Sequence, residues 1–323
     1  MFAPEQNIWL APYNLTTNYT IPGLSPKFPQ VHCNSNGTIC QVTTDEGTAN
    51  AAASIMAITL NPTLNLTKTY FMVAGIAGVK PEAASIGSAT FARYAIDIDL
   101  IHAVTDGDKP ANFSSDFWGQ GTYGPDLKPG ELYGSEIFEL NSTLRSAAAN
   151  LAVTKANISS IDTPALAAFR AMYNTTNYTR ARDPPSIYEC DTATGDVYWY
   201  GQGYQTYVSD WTKLLTNGTG SYCTTQQEDN ATINSLQRAA ALGLVDYNRV
   251  LVMRSTSDFD KAPPGMDFVS FIKSNQGGAF TVSLQALLVA GSPFVNAVTG
   301  NWTQWSGGVP AGASNTTTIT YRR

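Results

Sequence analysis

The stretch RVLVMRSTSDFD, residues 249–260, decides how this chain is read. Its first half, RVLVM, is a short unbroken apolar run, the pattern of a buried strand. Its second half turns to hydroxyls and carboxylates: Arg254, Ser255, Thr256, Ser257, Asp258, Phe259 and Asp260. In open α/β sheets, functional residues collect at the carboxyl ends of strands. A carboxyl group held there is partly desolvated, which raises its pKa toward neutrality and suits a general acid. The plainer alternative is that Asp258 caps the next turn or pairs with Arg254.

Working outward, helical and strand patterns alternate, which implies an α/β fold. The Ala-rich stretch 48–60 predicts a helix, and TYFMV at 69–73 a buried strand running into a flexible turn at 74–78. Residues 92–101 read as a strand, and 142–156, 163–172, 204–215 and 229–242 as helices, the last stopped by Gly243. After Pro263-Pro264-Gly265, helices run toward Val298. No linker or internal repeat divides the chain, so residues 1–323 are expected to form one domain, with 303–323 as a peripheral tail.

Other carboxylates have bland and functional readings side by side. Glu228 and Asp229 open the helix before the decisive strand, where acidic residues are favoured by the helix dipole. Glu5 precedes the apolar Ile8-Trp9-Leu10, and Asp196 precedes the aromatic run Tyr198-Trp199-Tyr200, which is either a wall against which a base stacks or ordinary core. Two histidines far apart give no metal-ligand spacing, so neither a metal nor a cofactor is expected. There is no nucleophile elbow and no phosphate loop, and GIAG at 75–78 lacks the full dinucleotide fingerprint.

The cellular setting is read from sequons and cysteines. Asn-X-Ser/Thr triplets occur at Asn14, Asn18, Asn36, Asn65, Asn112, Asn141, Asn157, Asn174, Asn177, Asn217, Asn230, Asn301 and Asn315. Each is a candidate N-glycosylation site, and so many along one chain point to a secreted glycoprotein, extracellular or in the cell wall. The four cysteines suit two disulfides, Cys33–Cys40 and Cys190–Cys223 being the favoured pairing of three. A mature form that has lost its signal peptide is the expectation. The most apolar stretch, 279–298, carries Thr, Ser, Gln, Pro and Asn and reads as buried helix rather than a membrane span. A net charge of −6 with no basic run argues against nucleic acid as a partner.

Taken together, the pieces resemble the nucleoside phosphorylase/nucleosidase fold, and more closely the purine nucleoside permease (NUP) family. The resemblance rests on MFAPEQNIWL at 1–10, VHC at 31–33, TICQVTT at 38–44, VAGIAGVKP at 73–81, TGDVYWYG at 194–201, QEDNAT at 227–232 and DFDKAPPGM at 258–266. It implies a three-layer α/β fold whose central mixed, twisted sheet is flanked by helices. It also implies cleavage of the N-glycosidic bond of a purine nucleoside. Asp258 matches the acid that protonates the purine, with Asp260 as its alternate. Glu228 or Asp229 matches the carboxylate on the ribose hydroxyls. Gly75, Ile76, Ala77 and Gly78 match the loop facing the ribose, Asp196 the turn beside the base, and Tyr198 and Trp199 the base wall. Where phosphorylases of this fold carry phosphate-binding Arg, the chain offers Met72, Val73, Ala74 and Glu5. A carboxylate repels phosphate and polarises water, so the expectation is a secreted purine nucleosidase with Glu5 as water activator. Thr48, at a helix start, keeps an anion site and phosphorolysis open. The other readings are a nucleoside-binding protein assisting uptake and a storage protein, and a homodimer stays open as the assembly.

Overall fold

The computed structural model describes residues 2–104 and 107–313. The helices are α1 (Ala3–Leu10), α2 (Thr48–Thr59), α3 (Ser142–Lys155), α4 (Pro164–Ala171), α5 (Gln202–Leu215), α6 (Asp229–Ala241), α7 (Phe268–Lys273), α8 (Ala279–Gly300) and α9 (Trp302–Trp305). Strands β1 (Thr17–Thr20), β2 (Gln30–Cys33) and β3 (Cys40–Val42) form a small antiparallel sheet. The central strands are β4 (Phe71–Val79), β5 (Ala89–Ala92) and β6 (Tyr94–Asp97), followed after a two-stranded ribbon of β7 (Ile101–Ala103) and β8 (Phe117–Gly119) by β9 (Ile137–Glu139), β10 (Ile187–Glu189), β11 (Asp191–Thr194), β12 (Tyr222–Gln226) and β13 (Val250–Phe259). Among the described residues they order as β10-β5-β13-β4-β12-β11-β6-β9.

That sheet is mixed. Strand β13 runs parallel to β4 and antiparallel to β5, and β12 runs parallel to β11 and antiparallel to β4. Side-chain alternation along β13 builds both outer layers. Leu251 and Met253 join Trp9, Leu144, Ala286, Leu287 and Ala290 under α1, α3 and α8. Val250 and Val252 join Ile55, Ile233 and Leu236 under α2 and α6. Strand β13 is therefore apolar on both faces, and the RVLVM run is continuous for that reason.

Two boundaries differ from the sequence expectation. The segment 74–78 is not a turn: β4 continues through Gly75, Ile76, Ala77 and Gly78 to Val79. Likewise RSTSDF is not a loop after the strand but the second half of β13. Both strands are paired on each side, and that pairing outweighs the weak strand preference of Gly, Ser and Asp. The expected strand at 92–101 is broken at Arg93 into β5 and β6.

The apolar stretch near the C-terminus is one continuous helix, α8, with Pro293 inside it. By length and composition, Gln276–Gly300 could cross a membrane, and 44% of its most apolar window is buried in the fold. Trp305 of α9 is buried in the same cluster, so the expected tail is anchored at its start. Asn315 lies outside the described residues. Disulfides join Cys33 to Cys40 and Cys190 to Cys223, as the sequence suggested.

Candidate functional site

Period-2 alternation puts Arg254 on the same face of β13 as Val250 and Val252, toward the start of α6. There Glu228 and Asp229 meet it. Arg254 Nη2 lies 3.0 Å from Glu228 Oε2 and 2.6 Å from Asp229 Oδ1, with all three side chains buried. The α6 start is held by Gln226, whose Oε1 accepts the N–H groups of Glu228 (2.7 Å) and Asp229 (2.8 Å). Burial pushes the Glu228 carboxyl up, but Arg254 outweighs it and leaves the pKa below its ordinary value. For Asp229 burial wins over Arg254 and the pKa is raised. Asp229 has no exposed surface and is committed to Arg254, so of the two carboxylates Glu228 is the one placed to meet a ligand. Arg254 itself pairs with α6 and not with Asp258.

Glycines on β4 let this cluster close. A Cβ at Gly75 would sit 2.6 Å from Arg254 Nη1 and 2.8 Å from Glu5 Oε1. Glu5, on α1, is buried and accepts the Ile76 N–H (2.6 Å) and the Phe2 N–H (2.9 Å). Burial raises its pKa against the pull of Arg254 and the Ile76 N–H. Arg254 Nη1 donates to the Ile76 carbonyl (3.0 Å), tying both strands to the same cluster.

Asp258 sits at a register shift where β13 passes Gly78, and it is half-buried. Its pKa is raised by burial, opposed by a 2.6 Å hydrogen bond donated by Ser257 Oγ. Tyr198 is 74% exposed. Its pKa is raised by partial burial and by the negative charge of Glu46, Glu228 and Asp258, so all three carboxylates act on the same ring. Tyr200 shares that setting: Asp258 raises its pKa after burial does, and its ring lies 5.7 Å from Phe268. Sequence reasoning did not single out Gln226 or Glu46; it offered Arg254 only as a partner for Asp258, and Tyr200 only as part of the aromatic run. Neither Gln226 nor Glu46 carries a local pattern that marks it as part of a site.

Other expected site residues are placed elsewhere. Asp260 is fully engaged away from Asp258. Its carboxylate accepts from Tyr222 Oη (2.6 Å) and from Gln205 Nε2, and burial pushes its pKa up to about 7. Trp199 is core rather than wall, stacked at 5.4 Å on Tyr204. Asp196 accepts the Thr48 N–H (2.9 Å) and hydroxyl (2.6 Å), so the α2 start is already capped by a carboxylate and Thr48 has no donors left over for an anion. Asn230 is no glycan acceptor in this fold. It is buried, donates to the Ser135 carbonyl (2.8 Å) and accepts from Thr194 (2.8 Å).

Comparison with known proteins gives these positions a family. The purine nucleoside permease (NUP) family pattern matches residues 1–310. A purine nucleoside permease of Candida albicans is 42% identical over 305 residues, covering 94% of this chain and 74% of that protein. A Schizosaccharomyces pombe protein named "Probable purine nucleoside permease" is 42% identical, covering 95% of this chain and 89% of its own. Among solved structures, the 5'-methylthioadenosine/S-adenosylhomocysteine nucleosidase of Helicobacter pylori superposes with a TM-score of 0.50 at 14% identity, covering 90% of this chain and 94% of that one. The corresponding Colwellia psychrerythraea enzyme, in complex with adenine, gives 0.50 at 15% identity, covering 93% and 91%. The chain thus has a fold that nucleosidases use. The expectation of a secreted purine nucleosidase is corrected by the relatives: they are named for permeation of purine nucleosides, and the likeness to nucleosidases reaches the fold alone. With 42% identity across 94% of its length and the family pattern over residues 1–310, this chain belongs to the purine nucleoside permease family.

Proposed function

We propose that the chain recognises purine nucleosides in the service of their uptake, at the space bounded by Glu228, Asp258 and Tyr198. The observation that carries this reading is geometric: Arg254 Nη2 lies 3.0 Å from the buried Glu228 carboxylate and holds its pKa down, while Asp258 stands at the β13 register shift opposite Gly78, where burial pushes its pKa up. An ionised carboxylate accepts two hydrogen bonds, which suits a ribose diol. A carboxyl group whose pKa is pushed up takes a proton more readily, and in its protonated form it donates to a ring nitrogen, which suits a purine. Tyr198 supplies an exposed ring on which a base can stack. The names of the relatives support the ligand class.

The same chain is proposed to pass through the oxidising secretory route. The two disulfides support this, and so do ten sequon asparagines that face solvent: Asn14, Asn18, Asn36, Asn65, Asn112, Asn157, Asn174, Asn177, Asn217 and Asn301.

Isothermal titration with adenosine, inosine, guanosine and uridine tests the nucleoside reading. Saturable binding of the purine nucleosides over uridine is expected, with the nucleoside recovered intact by chromatography. Absence of binding by every purine nucleoside would overturn it, and release of free base would overturn a site that only binds.

A further inference from the structure

Outside this site, the molecule presents an apolar groove between α3 and α8. Leu151, Val289, Pro293 and Ala297 line it, Lys155 and Asn296 give it polar edges, and Asn157 completes its wall. Helix α8 is apolar enough to cross a bilayer, yet here these residues are only half covered. Something amphipathic would shield them from water.

Asn157 belongs to a complete sequon, Asn157-Ile158-Ser159, and it is exposed. Its Oδ1 accepts a hydrogen bond from Ser159 Oγ at 3.2 Å, and among the described residues no partner engages its Nδ2. We propose that Asn157 carries an N-linked oligosaccharide whose core sugars lie in this groove and cover α8. The carbon-bound hydrogens of a pyranose ring suit Val289, Pro293 and Ala297, and its hydroxyls suit Lys155 and Asn296. Attachment at the groove's own wall makes docking intramolecular, so weak contacts are enough. In the attachment step, Asn157 Nδ2 displaces a lipid-linked diphosphate from C1 of the donor oligosaccharide. The N–C1 bond forms, the C1–O bond breaks, Nδ2 loses a proton, and the lipid diphosphate leaves with the electron pair. Helix α8 packs one face in the core through Ala286, Leu287, Ala290 and Phe294, and the sugar covers the face that this packing leaves half open.

The inference rests on the secretory route and is independent of nucleoside recognition. Its test uses the full chain made in a eukaryotic secretory host. Enzymatic deglycosylation in heavy-oxygen water maps occupied asparagines by mass. Amide hydrogen exchange then compares wild type, wild type trimmed enzymatically after folding to the first sugar, wild type fully deglycosylated after folding, and Ser159→Ala, which keeps Asn157 but destroys its sequon. The expected result is label at Asn157 and exchange in residues 289–297 about tenfold slower with sugar than without. The protein trimmed to the first sugar should exchange at a rate between those two, because most of the core that fills the groove is gone. The arms deglycosylated after folding keep the test valid if Ser159→Ala fails to fold. Label at Asn36 and Asn65 with Asn157 bare overturns the proposal and leaves the secretory reading intact. So does occupancy at Asn157 with unchanged exchange. A chain bare at every sequon overturns both.

Discussion

Arg254 Nη2 lies 2.6 Å from Asp229 Oδ1, with both side chains shut away from water. The other hydrogen bonds of this guanidinium serve the same cluster: Nη2 reaches Glu228 at 3.0 Å and Gln226 at 3.3 Å, Nε reaches Asp229 at 3.2 Å, and Nη1 reaches the Ile76 carbonyl at 3.0 Å. Removing one partner of such a cluster strands buried charge, which costs about 3–5 kcal/mol. Arg254→Met should therefore lower the unfolding free energy by roughly that amount in urea titrations. Arg254→Lys should recover little, because one ammonium cannot present a planar fork to carboxylates on one side and a carbonyl on the other. A loss below about 1 kcal/mol for Arg254→Met would mean that the cluster is solvated.

Gly75 is a second, independent probe of the same closeness. An added Cβ would stand 2.6 Å from Arg254 Nη1 and 2.8 Å from Glu5 Oε1, and neither group can withdraw without breaking its own bonds. Gly75→Ala should cost about 1–3 kcal/mol as overpacking. Gly203→Ala is the control: it lies in α5 with nothing within 4 Å of the new methyl group, so it should be neutral or stabilise by up to about 1 kcal/mol.

The contrast between Glu228 and Arg254 shows what the sequence could and could not reveal. Glu228 stands at a helix start and Asp258 after a hydrophobic strand, and both signals are local, so both were visible. Arg254 looked like a partner for Asp258, four residues along the chain. Its real partners are 25 and 26 residues away, brought in by the packing of α6 on the sheet. Trp199 and Tyr198 are neighbours in one aromatic run, and nothing local says that one faces the core and the other solvent. The strand ends were misread for a related reason. GIAG and STSD have turn-like composition, and only pairing with β5, β12 and each other fixes them as strands.

Asp260 sets a pH dependence of stability. Its pKa is raised to about 7 by burial, against an ordinary 3.8, even with Tyr222 and Gln205 donating to it. A carboxyl whose folded pKa is raised makes the folded state bind more protons than the unfolded chain between those two values. The Asp260 contribution to stability is therefore greatest below about pH 4 and declines as pH rises to about 7, where the decline levels off. Asp260→Asn should remove this decline, so that wild-type and variant stabilities measured at several pH values converge or cross within that window. Parallel curves for the two proteins from pH 4 to 7 would show that Asp260 does not titrate there.

Glu228 gives the sharpest test of ligand recognition, because its charge and its shape can be separated. Glu228→Gln keeps the side-chain length and one acceptor oxygen, while Asp229 continues to neutralise Arg254. Hydrogen bonds to a charged acceptor contribute about 1.5–3 kcal/mol against about 0.5–1.5 for neutral pairs. The Kd for adenosine should accordingly rise about tenfold. Arg254 holds the Glu228 pKa below its ordinary 4.5, so wild-type affinity should persist as pH falls through the usual carboxylate range. The cycle closes with 2′,3′-dideoxyadenosine, which has no diol to donate. Wild type and Glu228→Gln should bind that nucleoside with the same affinity, while differing tenfold for adenosine. An equal loss for both nucleosides would mean that Glu228 supports the shape of the site through Arg254 and does not touch the sugar.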